Sequence, residues 1–159
     1  MVLPRVPGQW VRRAFYATKT PPPAHRLPSS RIDIQRTTRP DPHKGPVLDN
    51  LAKVNDITSA KSTDFQFFQN DEAGYESDHQ TWTVTIPSEI ADGQYVLCNE
   101  TIASHLAKQE NGAQNRPKSI DIEVTGGGST SPNATAANKL YTEDDAGIKV
   151  SIYSNATSY

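Results

Sequence analysis

The stretch QYVLCNETIASHLAKQENGAQNRPKSIDIEV, residues 94–124, decides the fold, because its pattern predicts a strand, a loop and a second strand. The first strand has the two-residue period of a pleated sheet, with Tyr95, Leu97, Asn99 and Thr101 on one face and Val96, Cys98, Glu100 and Ile102 on the other. After Pro117, apolar Ile120, Ile122 and Val124 alternate with Asp121 and Glu123, which predicts a half-buried second strand.

The loop between these strands carries a compact pair of candidate site residues. His105 follows the end of the first strand, and Gln114 closes the polar loop that begins at Lys108. Because the two strands bring the ends of the loop together, both side chains can face the same point in space.

Other short alternating segments extend the β pattern on both sides. RIDIQR (residues 31–36) and TWTVTIP (81–87) give the cleanest alternation, DFQFF (64–68) and GIKVSIY (147–153) are further strand candidates, and residues 47–54 predict a short strand or an irregular edge. Tyr95, just after the Asp92-Gly93 turn, resembles the tyrosine corner of a sandwich. Residues 126–138 are typical of a flexible, linker-like loop. Since crossover helices are lacking, we predict an all-β antiparallel sandwich with long loops rather than an α/β fold.

Length and composition limit the chain to one domain with a modest core. The 159 residues are 35% hydrophobic with a mean hydropathy of -0.65, and no apolar run approaches the roughly 18 residues that a membrane helix needs. The lone Cys98 excludes an intrachain disulfide and is expected to pack in the core. No apolar segment follows Met1, so no signal peptide is predicted in this chain.

Charge is distributed unevenly along the chain. Residues 1–44 hold nine of the sixteen Lys and Arg against two acids, whereas the remainder holds seven bases and sixteen acids. Such a split is typical of a basic tail that binds nucleic acid or membrane, or of two joined segments of different origin. Residues 1–30, with six prolines and no acid, predict a basic, disordered tail before a domain at 31–159.

The sequence motifs assign no function by themselves. The chain lacks a phosphate-binding loop, paired metal-binding cysteines and a GxSxG elbow. The aromatics of the basic tail are clustered rather than spaced along a sheet face, so we predict no nucleic-acid partner and no membrane partner. Glycosylation sequons begin at Asn99, Asn133 and Asn155, of which Asn133, in a Gly/Ser-rich loop, is expected to be the best exposed.

Five blocks of sequence, taken in order, carry a resemblance to a known family. They are IDIQRTTRPDPHKGPVLDNLAKV, TWTVTIPSEIADGQYVL, ASHLAKQENGAQN, IDIEVTGGGS and KLYTEDDAGIKVSIY. From about Arg31 onward the chain resembles the C-terminal two thirds of a fungal lytic polysaccharide monooxygenase of auxiliary activity family nine, formerly glycoside hydrolase family sixty-one. The resemblance implies a secreted, monomeric, immunoglobulin-like β-sandwich. It also implies one copper ion, an external electron donor, and oxidative cleavage of β-1,4-glucan, chiefly cellulose.

The resemblance also implies roles for three residues. His43 in PHKGPV matches an internal histidine that is an equatorial copper ligand in the family. His105 and Gln114 match the pair beside the copper that hydrogen-bonds the reacting oxygen. These residue types suit the chemistry, because a neutral imidazole binds copper and a His with a Gln can orient and protonate a reduced oxygen species.

Departures from the family pattern make impaired turnover the expectation for this chain as written. The family holds copper chiefly through an N-terminal histidine, whereas this chain begins at Met1 and lacks the opening strands, which indicates an N-terminally truncated sandwich. Arg116 stands where the family usually has an axial tyrosine, and Ser119 stands at the position of a disulfide cysteine. Fewer nitrogen ligands bind copper more loosely. Two alternatives stay open, a noncatalytic carbohydrate-binding β-sandwich and an intracellular interaction protein that uses the basic tail.

Overall fold

The regular structure of the described residues is strands apart from two short 3-10 turns, as the sequence predicts. A computed structural model describes residues 15–17, 30–35, 45–73, 81–109, 112–142, 145 and 148. Its strands are β1 (Phe15–Ala17), β2 (Ser30–Gln35), β3 (Val47–Val54), β4 (Gln66–Ala73), β5 (Thr81–Ile86), β6 (Gly93–Ala103), β7 (Gln114–Val124) and β8 (Thr135–Ala136). The only helical segments within these ranges are two 3-10 turns, Ser62–Asp64 and Ala137–Lys139.

The strands form two sheets. The larger sheet has six strands in the order β1-β7-β6-β3-β4-β8, and the smaller one pairs β2 with β5. All of these pairings are antiparallel except β1 with β7. The longest pairing joins β6 to β7, from Gly93 opposite Val124 to Ala103 opposite Gln114. This arrangement confirms the predicted all-β sandwich.

The main core lies between the two sheets. The small sheet contributes alternate residues, such as Ile32 opposite Val84, while Asp33 and Thr83 face outward. The large sheet supplies the opposing apolar side chains, namely Leu51, Tyr95, Leu97, Ile122 and Val124. Residues of β2 and β5 alternate between buried and exposed, as expected of strands with one buried face. The alternation in the sequence therefore predicted these two strands correctly.

The outer face of the large sheet is covered as well. Ala52, Phe65, Phe67 and Val96 form a second buried cluster, against which Cys98 of β6 packs, together with Ile57 and Leu140 from segments outside the strands. The rings of Phe65 and Phe67 meet edge to face, with centroids 5.8 Å apart. Because both faces of the large sheet are covered, most residues of β6 are buried, including residues on both of its faces.

Two segments differ from the sequence predictions. Residues 47–54, expected as a short strand or irregular edge, form the central strand β3 between β4 and β6. Residues 126–138, expected as a flexible linker, are held by bridges from Ile90 to Thr130 and from Ala91 to Gly128. The close approach explains the glycine, since a Cβ at Gly128 would lie 2.4 Å from the carbonyl oxygen of Glu89.

Three further predictions concern Tyr95, the N-terminal segment and residues 147–153. Tyr95 donates a 2.7 Å hydrogen bond from its hydroxyl to the carbonyl of Ala91, the contact expected of a tyrosine corner. Strand β1 lies inside the segment predicted as a tail, where it pairs with Ile122 to Val124 of β7. The predicted strand at 147–153 lies outside the described residues apart from residue 148.

A buried carboxylate connects the two sheets. Asp49, fully buried on β3, accepts 2.6 Å hydrogen bonds from the indole nitrogen of Trp82 on β5 and from the amide of Asn99 on β6. Asp49 and Asn99 are also register partners. A charge withdrawn from water is tolerated only where donors surround it, so this carboxylate fixes both the strand register and the position of the small sheet.

Replacing Asp49 with alanine is expected to lower the free energy of unfolding by about 2–5 kcal/mol, since it leaves two buried donors without their acceptor. Asp33→Ala is the matched control, because Asp33 is exposed and accepts a 2.7 Å hydrogen bond from the exposed hydroxyl of Thr83. Its loss should be about 1 kcal/mol or less. Chemical denaturation of both variants measures the difference, and equal losses would refute the bridging role of Asp49.

Candidate functional site

His105 and Gln114 lie at the same end of the large sheet. Strand β6 ends at Ala103, which pairs directly with Gln114, the first residue of β7. His105 follows Ala103 by two residues and is half-buried, whereas Gln114 is exposed. The register therefore brings the predicted pair to one edge, on opposite sides of the loop that joins the two strands.

Successive turns hold the histidine side of this loop. The amide of Ala107 donates to the carbonyl of Ser104 at 3.1 Å, and the amide of Gln109 donates to that of Leu106 at 2.9 Å. Ser104 is buried, and Leu106, 39% exposed, is the one large apolar side chain that the described residues leave exposed. The turns thus present an imidazole and an adjacent apolar side chain at the surface of the sheet's end.

The chain that enters β3 packs against the same strand end. The amide of Ile102 donates a 3.0 Å hydrogen bond to the carbonyl of Pro46. Gly45 lies so close that a Cβ there would meet the carbonyl oxygen of Ile102 at 1.8 Å, which only glycine avoids. His43, the predicted copper ligand, lies outside the described residues, two positions before this contact.

Arg116 extends the site along β7. It pairs with Thr101, is exposed, and donates from its guanidinium to the Oε1 of Gln114 at 3.3 Å. This contact leaves the Nε2 of Gln114 as the donor that can meet a ligand. The guanidinium of Arg116 carries a permanent positive charge, which repels a metal cation. It also has no lone pair with which to bind a metal ion.

Glu100 lies on the outer face of β6, away from the main core, and its buried carboxyl group has a raised pKa. Glu100 is 6% exposed and accepts a hydrogen bond from the hydroxyl of Tyr141. Burial raises the pKa of Glu100 to about 7. Burial, with smaller contributions from the Glu100 and Asp49 carboxylates, raises the pKa of the Cys98 thiol to about 12, so this cysteine stays a protonated packing residue.

Ser119 lies directly opposite Cys98 in the pairing of β6 with β7. A serine hydroxyl cannot form a disulfide, and Cys98 is a free thiol. Ser119, where the family resemblance implies a disulfide cysteine, therefore contributes a hydrogen bond instead. That hydrogen bond lowers the pKa of the Cys98 thiol by less than burial raises it.

A metal centre is not assembled by the described residues themselves. Ranges 45–73, 81–109 and 112–142 contain no group of three or more His, Cys, Asp or Glu side chains placed to hold a metal ion. Their one histidine is His105. At this strand end the described residues offer an imidazole from His105 and an amide from Gln114, whereas Arg116 cannot act as a metal ligand. Within the same ranges, no helix is long and apolar enough to cross a bilayer.

Comparison with known proteins assigns the family. The family model described as Auxiliary Activity family 9 (formerly GH61) matches residues 17–159. The chain therefore belongs to Auxiliary Activity family 9. The match begins within the segment predicted as a basic, disordered tail, fourteen residues before the predicted domain start at Arg31.

Individual relatives agree with this assignment. The chain is 40% identical over 148 residues to AA9 family lytic polysaccharide monooxygenase A of Thermoascus aurantiacus. This alignment covers 83% of the chain and 65% of the relative. It is 42% identical over 143 residues to AA9 family lytic polysaccharide monooxygenase B of Aspergillus tamarii, covering 81% and 38%. The extended catalytic domain of H. jecorina LPMO9A matches with a TM-score of 0.75 at 36% identity, covering 83% of this chain and 59% of that one. The chain thus spans less than two thirds of the length of these relatives.

Sequence reasoning missed the two buried acids of the central strands. Asp49 was not singled out, although its apolar flanks in VLDNLA indicate a buried position that needs donors. Glu100 was assigned to a strand face without its partner Tyr141, which lies 41 positions away. Such distant partners leave no local signal in the sequence.

The raised pKa of Glu100 predicts that stability decreases as pH rises. Between the ordinary value of 4.5 and the folded value of about 7, the folded chain retains a proton that the unfolded chain releases. The free energy of unfolding should therefore fall across this window, by on the order of 3 kcal/mol, and become level above it. Denaturant titrations at several pH values measure the slope.

Glu100→Gln should remove this contribution, because a neutral amide keeps an acceptor for Tyr141 and does not titrate. Glu123→Gln, which changes an exposed carboxyl on the neighbouring strand, is the control and should retain the wild-type slope. An unchanged slope in Glu100→Gln would contradict the assignment of this titration to Glu100.

Proposed function

We propose that this protein is a copper-dependent monooxygenase that oxidatively cleaves β-1,4-glucan, with cellulose as the leading substrate. The observation that carries the proposal is the shared strand end, where the β6–β7 register pairs Gln114 with Ala103, two residues before His105, and where Gly45 packs on β6. His43, two residues before Gly45 in the sequence, is proposed as the metal ligand on the family resemblance.

In this proposal His43 supplies an imidazole nitrogen to the metal, and His105 and Gln114 act beside it. Copper, when bound, supplies the one-electron chemistry that activates oxygen or peroxide. The half-buried imidazole of His105 is proposed to hydrogen-bond the reacting oxygen and to act as the proton-transfer group there. The Nε2 of Gln114 donates a hydrogen bond to the reacting oxygen, while its Oε1 is held by Arg116.

The same surface suits a polysaccharide. Leu106 is exposed beside His105 and offers an apolar contact for the C–H face of a sugar ring, and Gln114 offers hydrogen bonds to sugar hydroxyls. An external electron donor, secretion and a monomeric state complete the proposal. Copper binding is proposed to be weaker than in a tyrosine-bearing member of the family, because Arg116 adds positive charge at the site.

Titration of the full chain with copper(II), followed by EPR, tests the ligand role of His43. We expect His43→Ala to weaken copper binding at least tenfold, whereas the control His79→Ala, which changes a histidine with no proposed role, should bind copper like the wild type. Arg116→Gln, assayed alongside, should bind copper more tightly because a repelling charge is removed. Equal binding by the His43 and His79 variants would exclude His43 as a ligand.

The copper-loaded chain, supplied with swollen cellulose, a reductant and peroxide, should release oxidised oligosaccharides that mass spectrometry identifies, but more slowly than a tyrosine-bearing member of the family. Binding to cellulose without any oxidised product would instead support the noncatalytic carbohydrate-binding sandwich. If the chain neither binds cellulose nor yields product, and a tagged copy remains unglycosylated in the cytoplasm, the interaction protein is favoured.

A further inference from the structure

The three sequons differ sharply in what the fold allows. Asn99 is 2% exposed, and its Nδ2, the atom to which a glycan would be attached, donates a 2.6 Å hydrogen bond to Asp49. A glycan on that nitrogen would remove one of the donors that hold the buried carboxylate and would need space inside the sandwich. The Asn99 sequon is therefore incompatible with a modified folded chain, and Asn155 lies outside the described residues.

Asn133 is placed in the opposite way. Asn133, Ala134 and Thr135 are all exposed, and residues 131–134 form no helix or strand. The segment is nevertheless held at both ends, by the bridge at Thr130 and by β8, in which Thr135 pairs with Phe67. The asparagine and the threonine that define this sequon thus lie together on the surface at a fixed position.

We propose that Asn133 carries an N-linked glycan when the chain passes through a secretory pathway, and that Asn99 does not. The co-substrate is an oligosaccharide on a lipid pyrophosphate carrier. The Nδ2 of Asn133 loses one proton and bonds to the anomeric carbon of the sugar, and the lipid pyrophosphate departs with its electron pair, so no oxidant or reductant is required.

The glycan would lie at an edge of the large sheet, away from the candidate site. Among the strands that the structure describes, β8 is the last in the order β1-β7-β6-β3-β4-β8, so a glycan beside it covers the end of that described sheet. Thr135 lies in the same row as Phe67, Ala52 and Val96. Ala103, at the site, lies seven residues from Val96 along β6, and β8 lies three strand spacings from β6. These two distances together place the glycan roughly 25 Å from the site.

The test is secretion of the full chain from a yeast host behind a cleavable leader, with glycan sites mapped by glycosidase release in ¹⁸O water and peptide mass spectrometry. We expect the label at Asn133 and none at Asn99. Asn133→Gln and Thr135→Ala should each lose this glycan, whereas Thr135→Ser should retain it. Copper binding should not differ between the wild type and Asn133→Gln.

An unmodified Asn133, or a modified Asn99 in the secreted and folded protein, would overturn the proposal. The fraction retained in the endoplasmic reticulum is mapped in the same way, so poor secretion still gives a result at Asn133. Because the map does not depend on copper or on cellulose, its outcome is separate from that of the proposed function.

Discussion

The carboxylate of Asp49 is the interaction on which the rest of the structure depends. It is fully buried between the two sheets and is held by Trp82 from one sheet and Asn99 from the other. A buried carboxylate that lost these donors would cost several kcal/mol, so the arrangement tolerates neither a shifted register nor a displaced small sheet. Because Asn99 lies four residues before Ala103 on β6, the register fixed at Asp49 also places the strand end that carries the candidate site.

Strand β6 connects the core to the site because it is fixed on both faces. Its inner face contributes Tyr95 and Leu97 to the main core, and its outer face contributes Val96 to the second cluster and Glu100 to the contact with Tyr141. A strand packed in this way has little freedom, so its end presents His105 from a rigid base. The loop beyond it and the chain entering β3 then contribute residues to one surface.

Local pattern was sufficient wherever one face of a strand is buried and the other exposed. Strands β2 and β5 alternate in this way, and Tyr95 makes the predicted corner contact with Ala91. Pattern failed where distant partners decide the outcome. Residues 47–54 were expected to form a short strand or an irregular edge, yet β3 is a central strand, and donors from other strands satisfy its buried Asp49. Similarly, residues 126–138 were predicted to be flexible, although backbone contacts with residues 89–91 hold them.

The candidate site was predictable in part. The positions of His105 and Gln114 at one sheet end follow from the strand–loop–strand pattern, whereas the packing of Gly45 on Ile102 and the contact of Arg116 with Gln114 required the register. The role of His43 rests on the family resemblance, and the family match from residue 17 places the start of the related region earlier than the composition change at residue 31 suggested.

The most direct test of this account is an amide NMR spectrum of the isotopically labelled chain with substoichiometric copper(II) added. Bound copper(II) broadens nearby signals, so the account predicts loss of the Gly45, His105 and Gln114 amide signals while those of Thr83 and Asn133 persist. Broadening centred on other residues, such as the segment around His25, or the absence of any localised broadening, would contradict the assignment of the copper site to this strand end.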